Sequence, residues 1–194
     1  MKRNQQLHEW LIPALAMEIG AKSYLELGCH QNETVSAMPD AMGPEARIFA
    51  VDINEPNYRV TGVEYRIMNT ADYLSDWAEA DSPFDLVFID ADHSSRAALS
   101  DFEAVWRHMA PEGLVLLHDT NPETVADTQP GYCGDSWRVA KYLADSGFES
   151  ITLNYHPGLT MVRKRVSWGP VDSPPATEAF PGITAGKENP RAFV

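Results

Sequence analysis

Two apolar runs of this chain end in the same kind of chemistry. Phe84 to Ser95 reads FDLVFIDADHSS, and Glu112 to Asn121 reads EGLVLLHDTN. Each has the composition of a buried strand, and each closes on carboxylates and a histidine: Asp90, Asp92 and His93 in the first, His118 and Asp119 in the second. Imidazole titrates near neutral pH, so such a group can give or take a proton. A third stretch, Tyr24 to Val35 (YLELGCHQNETV), reads as a strand, a turn at Gly28 and a helix opening near Thr34, with Glu26 two places before the glycine. A strand that passes through a tight loop into a helix is how α/β folds build nucleotide pockets. Asn32 stands where a second glycine would help the turn, and Asn is well suited to a left-handed backbone. The fourth run, RIFAVD, ends at Asp52. That spacing from Gly28 is close to the ~20 residues expected for an acid that grips ribose hydroxyls.

Strand ends that carry polar groups imply a parallel sheet with those groups along one edge, where open α/β folds bind ligands. The elements that position them follow from the pattern. Gln5 to Ile19 is expected to be helical from Leu7, Trp10, Leu11 and Leu15, with Pro13 starting a second helix or kinking the first, and Gly20 as its stop. It is expected to pack on the domain, with a cover over the cofactor or a contact between copies left open. Thr34 to Met38 reads as a short helix interrupted near Pro39 and closed by Gly43 and Pro44. Strands are expected at Arg47–Val51, Val63–Met68, Leu86–Ile89 and Leu114–Leu117, with helices at Ala71–Ala80 and after Ser94 or Ser95. Pro111 and Gly113 should end the latter helix. A helix starting at Asp135 or Ser136 and a hairpin from Phe148 to Lys164 complete the domain. Asn121 to Asp135 is a long loop rich in Pro, Gly and Asp, of the kind that shapes a binding site.

On these residues the chain resembles the class I S-adenosylmethionine-dependent methyltransferases. It is most similar to small O-methyltransferase-like families with FIDxDH in the fourth strand and HDT after the fifth, related to the catechol-type and sugar enzymes. The likeness runs from Tyr24 to Lys164. It implies an α/β fold, a single Rossmann-like domain whose seven-stranded, mostly parallel sheet has the order 3-2-1-4-5-7-6 and helices on both faces. It implies S-adenosyl-L-methionine as cofactor, with Glu26 toward the methionine ammonium, Gly28, Cys29 and His30 in the close-approach loop, Asp52 and Ile53 at the ribose, and Asn69 and Thr70 near the adenine. Asn69 or Thr70 also suits a helix cap. Asp90 would border the cofactor and, with Asp119, hold a divalent metal such as Mg²⁺. Thr120 and His118 stand where the two related families carry a further metal ligand, so the third ligand stays open. Asp92 matches the general base of the sugar enzymes, with His118 and His93 as rivals. His8, His108 and His156 read as surface or packing residues.

The expected domain is 23–165, after a helical segment 1–22 and before a Pro- and Gly-rich tail, 166–194, with too little apolar content to form core. The 194 residues carry a net charge of −13. Such a surface opposes nucleic acid and anionic membranes as partners, and leaves a small-molecule acceptor. Two cysteines imply no disulfide framework and fit a reducing, cytoplasmic setting. No run reaches the ~20 apolar residues of a membrane helix. Hydroxyl methylation is the leading expectation. Metal-free methylation of nitrogen or carbon, or a binding module without turnover, are the alternatives. A nicotinamide enzyme would want the G-x-G-x-x-G that this loop lacks.

Overall fold

The computed structural model describes residues 7–77 and 83–165. The expectations for Gln5 and Gln6, for the end of the third helix at Ala80, for Asp81 and Ser82, and for the tail fall outside the described residues. The sheet has seven strands: β1 (Ser23–Leu27), β2 (Arg47–Asp52), β3 (Glu64–Ile67), β4 (Phe84–Ile89), β5 (Met109–His118), β6 (Glu149–Leu153) and β7 (Leu159–Arg163). Their order is β3-β2-β1-β4-β5-β7-β6, as the resemblance implied. The first five pair in parallel, and β7 runs antiparallel to both β5 and β6.

Burial explains the sequence pattern. Every residue of β1 is buried, as in a strand covered on both faces, whereas edge strand β3 buries only Tyr65. Alternate residues of the central strands feed two cores. On one face Leu25, Leu27, Val87, Ile89, Val115 and Leu117 meet the helices α3 (Thr70–Asp76), α4 (Ser95–Arg107) and α5 (Trp137–Asp145). On the other, Tyr24, Ile48, Leu86, Phe88 and Leu116 meet α1 (Leu7–Glu18) and α2 (Met38–Met42). In α4, Leu99, Phe102, Val105 and Trp106 are buried at helical spacing.

Two local expectations are corrected and one is narrowed, since no second helix starts at Pro13. Helix α1 is one element that continues across Pro13, which is buried beside Ile12 and Ala16. Tertiary packing there offsets a proline cost of about 3 kcal/mol. Pro39 does not interrupt a helix. A 3₁₀ turn, Val35–Ala37, leads into α2, and Pro39 occupies its first turn, where no N–H is needed. Pro111 and Gly113 do not end α4, which stops at Arg107. They lie within β5, and the pairing of β4 with β5 shifts register between Phe84 and Leu86 to absorb them.

Candidate active site

The carboxyl ends of β1, β2, β4 and β5 open onto a cleft of about 1550 Å³. All the cofactor, metal and general-base candidates named from the sequence line it, including Cys29, Ile53 and Asn69. Its floor is the turn after β1. Gly28 has φ +86°, and a Cβ there would stand 2.3 Å from the Asp90 carbonyl oxygen. The loops after β1 and β4 are therefore pressed together at a distance only glycine allows. Asn32 takes the left-handed backbone expected of it, with φ 68°. It is fully buried, donates through Nδ2 to the Tyr58 carbonyl (2.7 Å) and accepts the Tyr65 hydroxyl proton (2.9 Å). A glycine would allow the turn but not these bonds.

Asp52 ties this loop to the end of β2, accepting from the amides of His30 (2.9 Å) and Asn54 (2.8 Å). Each carboxylate oxygen keeps a further lone pair for a ligand. Asn69 caps α3 by accepting from the Ala71 amide at 2.8 Å. The Thr70 hydroxyl is committed to Asp101, at 2.8 Å. Glu26 is buried and accepts the Tyr24 hydroxyl proton at 2.6 Å. Burial pushes its carboxyl up to about 8, against the lowering effect of that bond. Burial likewise pushes the Cys29 thiol up to about 12, so it is no nucleophile at neutral pH.

The ends of β4 and β5 bring Asp90, His93, His118 and Asp119 into one network. His118 Nδ1 lies 2.9 Å from Asp90 Oδ1, and His93 Nδ1 lies 2.8 Å from Asp119 Oδ2. His93 Nδ1 also meets the Tyr132 carbonyl at 2.6 Å. Asp119 has φ 59°, an uncommon backbone for a non-glycine residue and one that recurs at functional sites. The bond to Asp119 lifts His93 to about 9 against the opposing effect of burial. For His118, burial pulls down but Asp90 and Asp119 together raise it above the ordinary value. Burial would raise Asp119, yet the His93 bond and the two imidazoles hold it low. Asp92 lines the cleft but accepts from the Ser94 amide at 2.8 Å, and that bond holds it below the usual carboxylate range. Among the described residues, Asp90, His93 and Asp119 present ligand atoms within 4.8 Å of one another, a set that fits a divalent cation.

Of the histidines read as surface or packing residues, His8 and His156 line the cleft, and several neighbours there were overlooked. His8 is buried, lines the cleft, and packs edge-on against His118 with ring centres 4.2 Å apart. Burial drives it down to about 4. Its spacing from buried Ile12 was the available signal. Asp135 or Ser136 was expected to cap α5, and Ser136 does stand at the cap position, although its side chain makes no cap bond. Asp135 instead accepts from the amide (2.5 Å) and hydroxyl (2.9 Å) of Ser95, while the Ser136 hydroxyl donates to the His93 carbonyl (2.9 Å). Both residues therefore fasten the long loop, which contains a 3₁₀ turn at Val125–Thr128, to the His93 loop.

Residues 25–120 match the family model described as a methyltransferase domain. No curated protein matches the chain. Among solved structures, cofactor-bound Rv0187 from MTB is 17% identical with a TM-score of 0.69, covering 85% of this chain and 83% of that one. The O-methyltransferase from Bacillus cereus, solved with S-adenosylhomocysteine, is 18% identical with a TM-score of 0.64, covering 84% and 85%. MycE, a methyltransferase of the mycinamycin biosynthetic pathway solved with Mg and S-adenosylhomocysteine, is 18% identical with a TM-score of 0.61, covering 80% of this chain but 48% of that one. The strand order and the cleft at the carboxyl edge define a Rossmann-like methyltransferase fold. With the domain match added, residues 25–120 form a methyltransferase domain, and the chain is an S-adenosylmethionine-dependent methyltransferase of this fold.

Proposed function

We propose that this enzyme methylates a hydroxyl of a small molecule, with a divalent cation held by Asp90, His93 and Asp119. The observation that carries the reading is the convergence of two carboxylates and an imidazole, within 4.8 Å, at the ends of adjacent strands. His93 thereby fills the third position that the sequence left open, and an imidazole beside two carboxylates suits Mn²⁺ as well as Mg²⁺. The MycE complex with Mg supports the same reading.

S-adenosylmethionine supplies a methyl group on a sulfonium, and a cation at the cluster would acidify a bound hydroxyl. The chain's own residues position and protect. The Gly28 loop and Asp52 would hold the nucleoside end, Asn69 would stand beside the base and Glu26 would meet the ammonium. That arrangement fixes donor and acceptor in line. His118 Nε2 is buried with no partner among the described residues, so His118 acts by orienting Asp90 through Nδ1. Asp92, held at low pKa, is a base only for a hydroxyl already acidified.

A metal-free reading, with transfer to oxygen, nitrogen or carbon, rests on the 2.8 Å contact between His93 and Asp119, which resembles a base and its orienting acid. A His93 lifted to about 9 keeps its proton at neutral pH, which weakens it as a base, and a cation at the cluster would have to displace that same proton. Turnover on a metabolite panel, read as a mass gain of one methylene, identifies the acceptor. On that acceptor, chelation should stop turnover reversibly. Asp119→Ala should cut kcat at least about a hundredfold and leave S-adenosylhomocysteine affinity within about threefold. Full activity in excess chelator would sink the metal and leave the methyltransferase standing.

A further inference from the structure

The cleft is lined with carboxylates, among them Glu26, Glu33, Asp52, Asp90 and Asp119, and the whole chain is strongly acidic. Arg138 is the sole Lys or Arg among the described residues that line it. It sits in the first turn of α5, where the helix dipole disfavours a cation. Its side chain is only 14% exposed. Its buried Nε has no hydrogen-bond partner among the described residues. The nearest carboxylate, Asp135 Oδ2, stands 3.9 Å from Nε, too far for a hydrogen bond. Asp135 is already engaged by the Ser95 amide and hydroxyl. The guanidinium is held in place by the Trp137 ring, whose centre is 5.0 Å away. A cation this buried, with Nε unbonded and only a 3.9 Å ion pair to Asp135, gains from a ligand that supplies a closer counter-charge.

We propose that Arg138 reads a carboxylate on the methyl acceptor, so that the substrate is a hydroxy acid; this rests on the methyltransferase reading above. The topology separates Arg138 from the cofactor. Asp52, Gly28 and Asn69 come from the β1, β2 and β3 side of the sheet, whereas α5 follows β5 on the other side. Arg138 is tied to the reaction centre instead, because the start of its helix is bonded to the His93 carbonyl through Asp135 N (3.0 Å) and the Ser136 hydroxyl (2.9 Å). A single guanidinium fork matches one carboxylate. A dianionic phosphate would meet more repulsion from the surrounding acids than one arginine offsets.

The test uses the full chain with S-adenosylhomocysteine and Mg²⁺. Hydroxybenzoates are titrated against the matching hydroxybenzamides, and sugar acids against their parent sugars, by ligand-observed NMR. Wild type should bind at least one acid about tenfold more tightly than its neutral partner. Arg138→Met should erase that preference while the thermal shift given by S-adenosylhomocysteine stays the same. Arg138→Lys should recover part of it. Should the Met variant not fold, Arg138→Lys alone decides, because loss of the fork must weaken the acid and spare its neutral partner. The assignment falls if wild type prefers no acid or if the preference survives in Arg138→Met. It also falls if the variant weakens S-adenosylhomocysteine, since Arg138 would then serve the cofactor. If wild type does not bind S-adenosylhomocysteine at all, it is the methyltransferase reading that fails.

Discussion

Glu26, proposed to meet the cofactor's ammonium, is held in a protonation state that binding would change. Its carboxyl is buried and pushed up to about 8, so the free protein holds it protonated at neutral pH, bonded to Tyr24. An ammonium placed beside it would favour the ionised form. Binding of S-adenosylhomocysteine should therefore release a proton, and affinity should rise severalfold between about pH 6 and pH 8. Calorimetry in two buffers of different ionisation heat would measure the release. Glu26→Gln keeps a partner for Tyr24 but has no proton to lose, so it should flatten the pH dependence and weaken binding at pH 8. A pH-independent affinity in wild type would remove Glu26 from the ammonium.

At the scale of elements, α3 and α4 are joined by a bond that also explains a cost. Thr70 donates to Asp101, which is 4% exposed and pushed by burial up to about 6. Its folded pKa lies above the ordinary 3.8, so the native state binds the proton more tightly. The stability this contributes is full below about pH 4 and lost as pH rises through about 6. Asp101→Asn keeps an acceptor for Thr70 and removes the charge. It should stabilise the domain by roughly 1–3 kcal/mol at pH 8 and by little at pH 4. Melting curves at the two pH values check this. An equal gain at both would mean that burial of charge is not the cause.

The described residues form two cores, with Ile12 and Ala16 sealing one face and Val139 and Leu143 the other. From Val166 onward the sequence offers few apolar side chains. Removing Ser167 to Val194 should leave Tm nearly unchanged and preserve stabilisation by S-adenosylhomocysteine. NAD should not stabilise either form. A large fall in Tm on truncation would show that the tail docks on the domain. No helix among the described residues is long and apolar enough to cross a membrane.

The strands and the edge that gathers the polar residues were legible in the sequence, because central parallel strands are continuous apolar runs and their polar ends must share one edge, whereas the strand order came only from the family resemblance. Gly28 and Asn32 were legible for a similar reason, since backbone conformation is a local property and few residue types tolerate φ above zero. Proline was less informative: Pro39 and Pro111 have the same local constraint, but their effect depends on whether a helix turn or a bulged strand receives it. The partners of the polar residues were decided by tertiary structure. Thr70 meets Asp101, His93 joins Asp119, and His8 reaches across most of the chain to His118. Arg138 reads as an ordinary helical arginine until α5 is docked, when the cleft surrounds it and Asp135 is drawn away to Ser95. Hydrogen bonds and ion pairs depend on separations of a few ångströms between residues far apart in sequence, and only the pairing of the strands and the packing of the helices on the sheet set those separations.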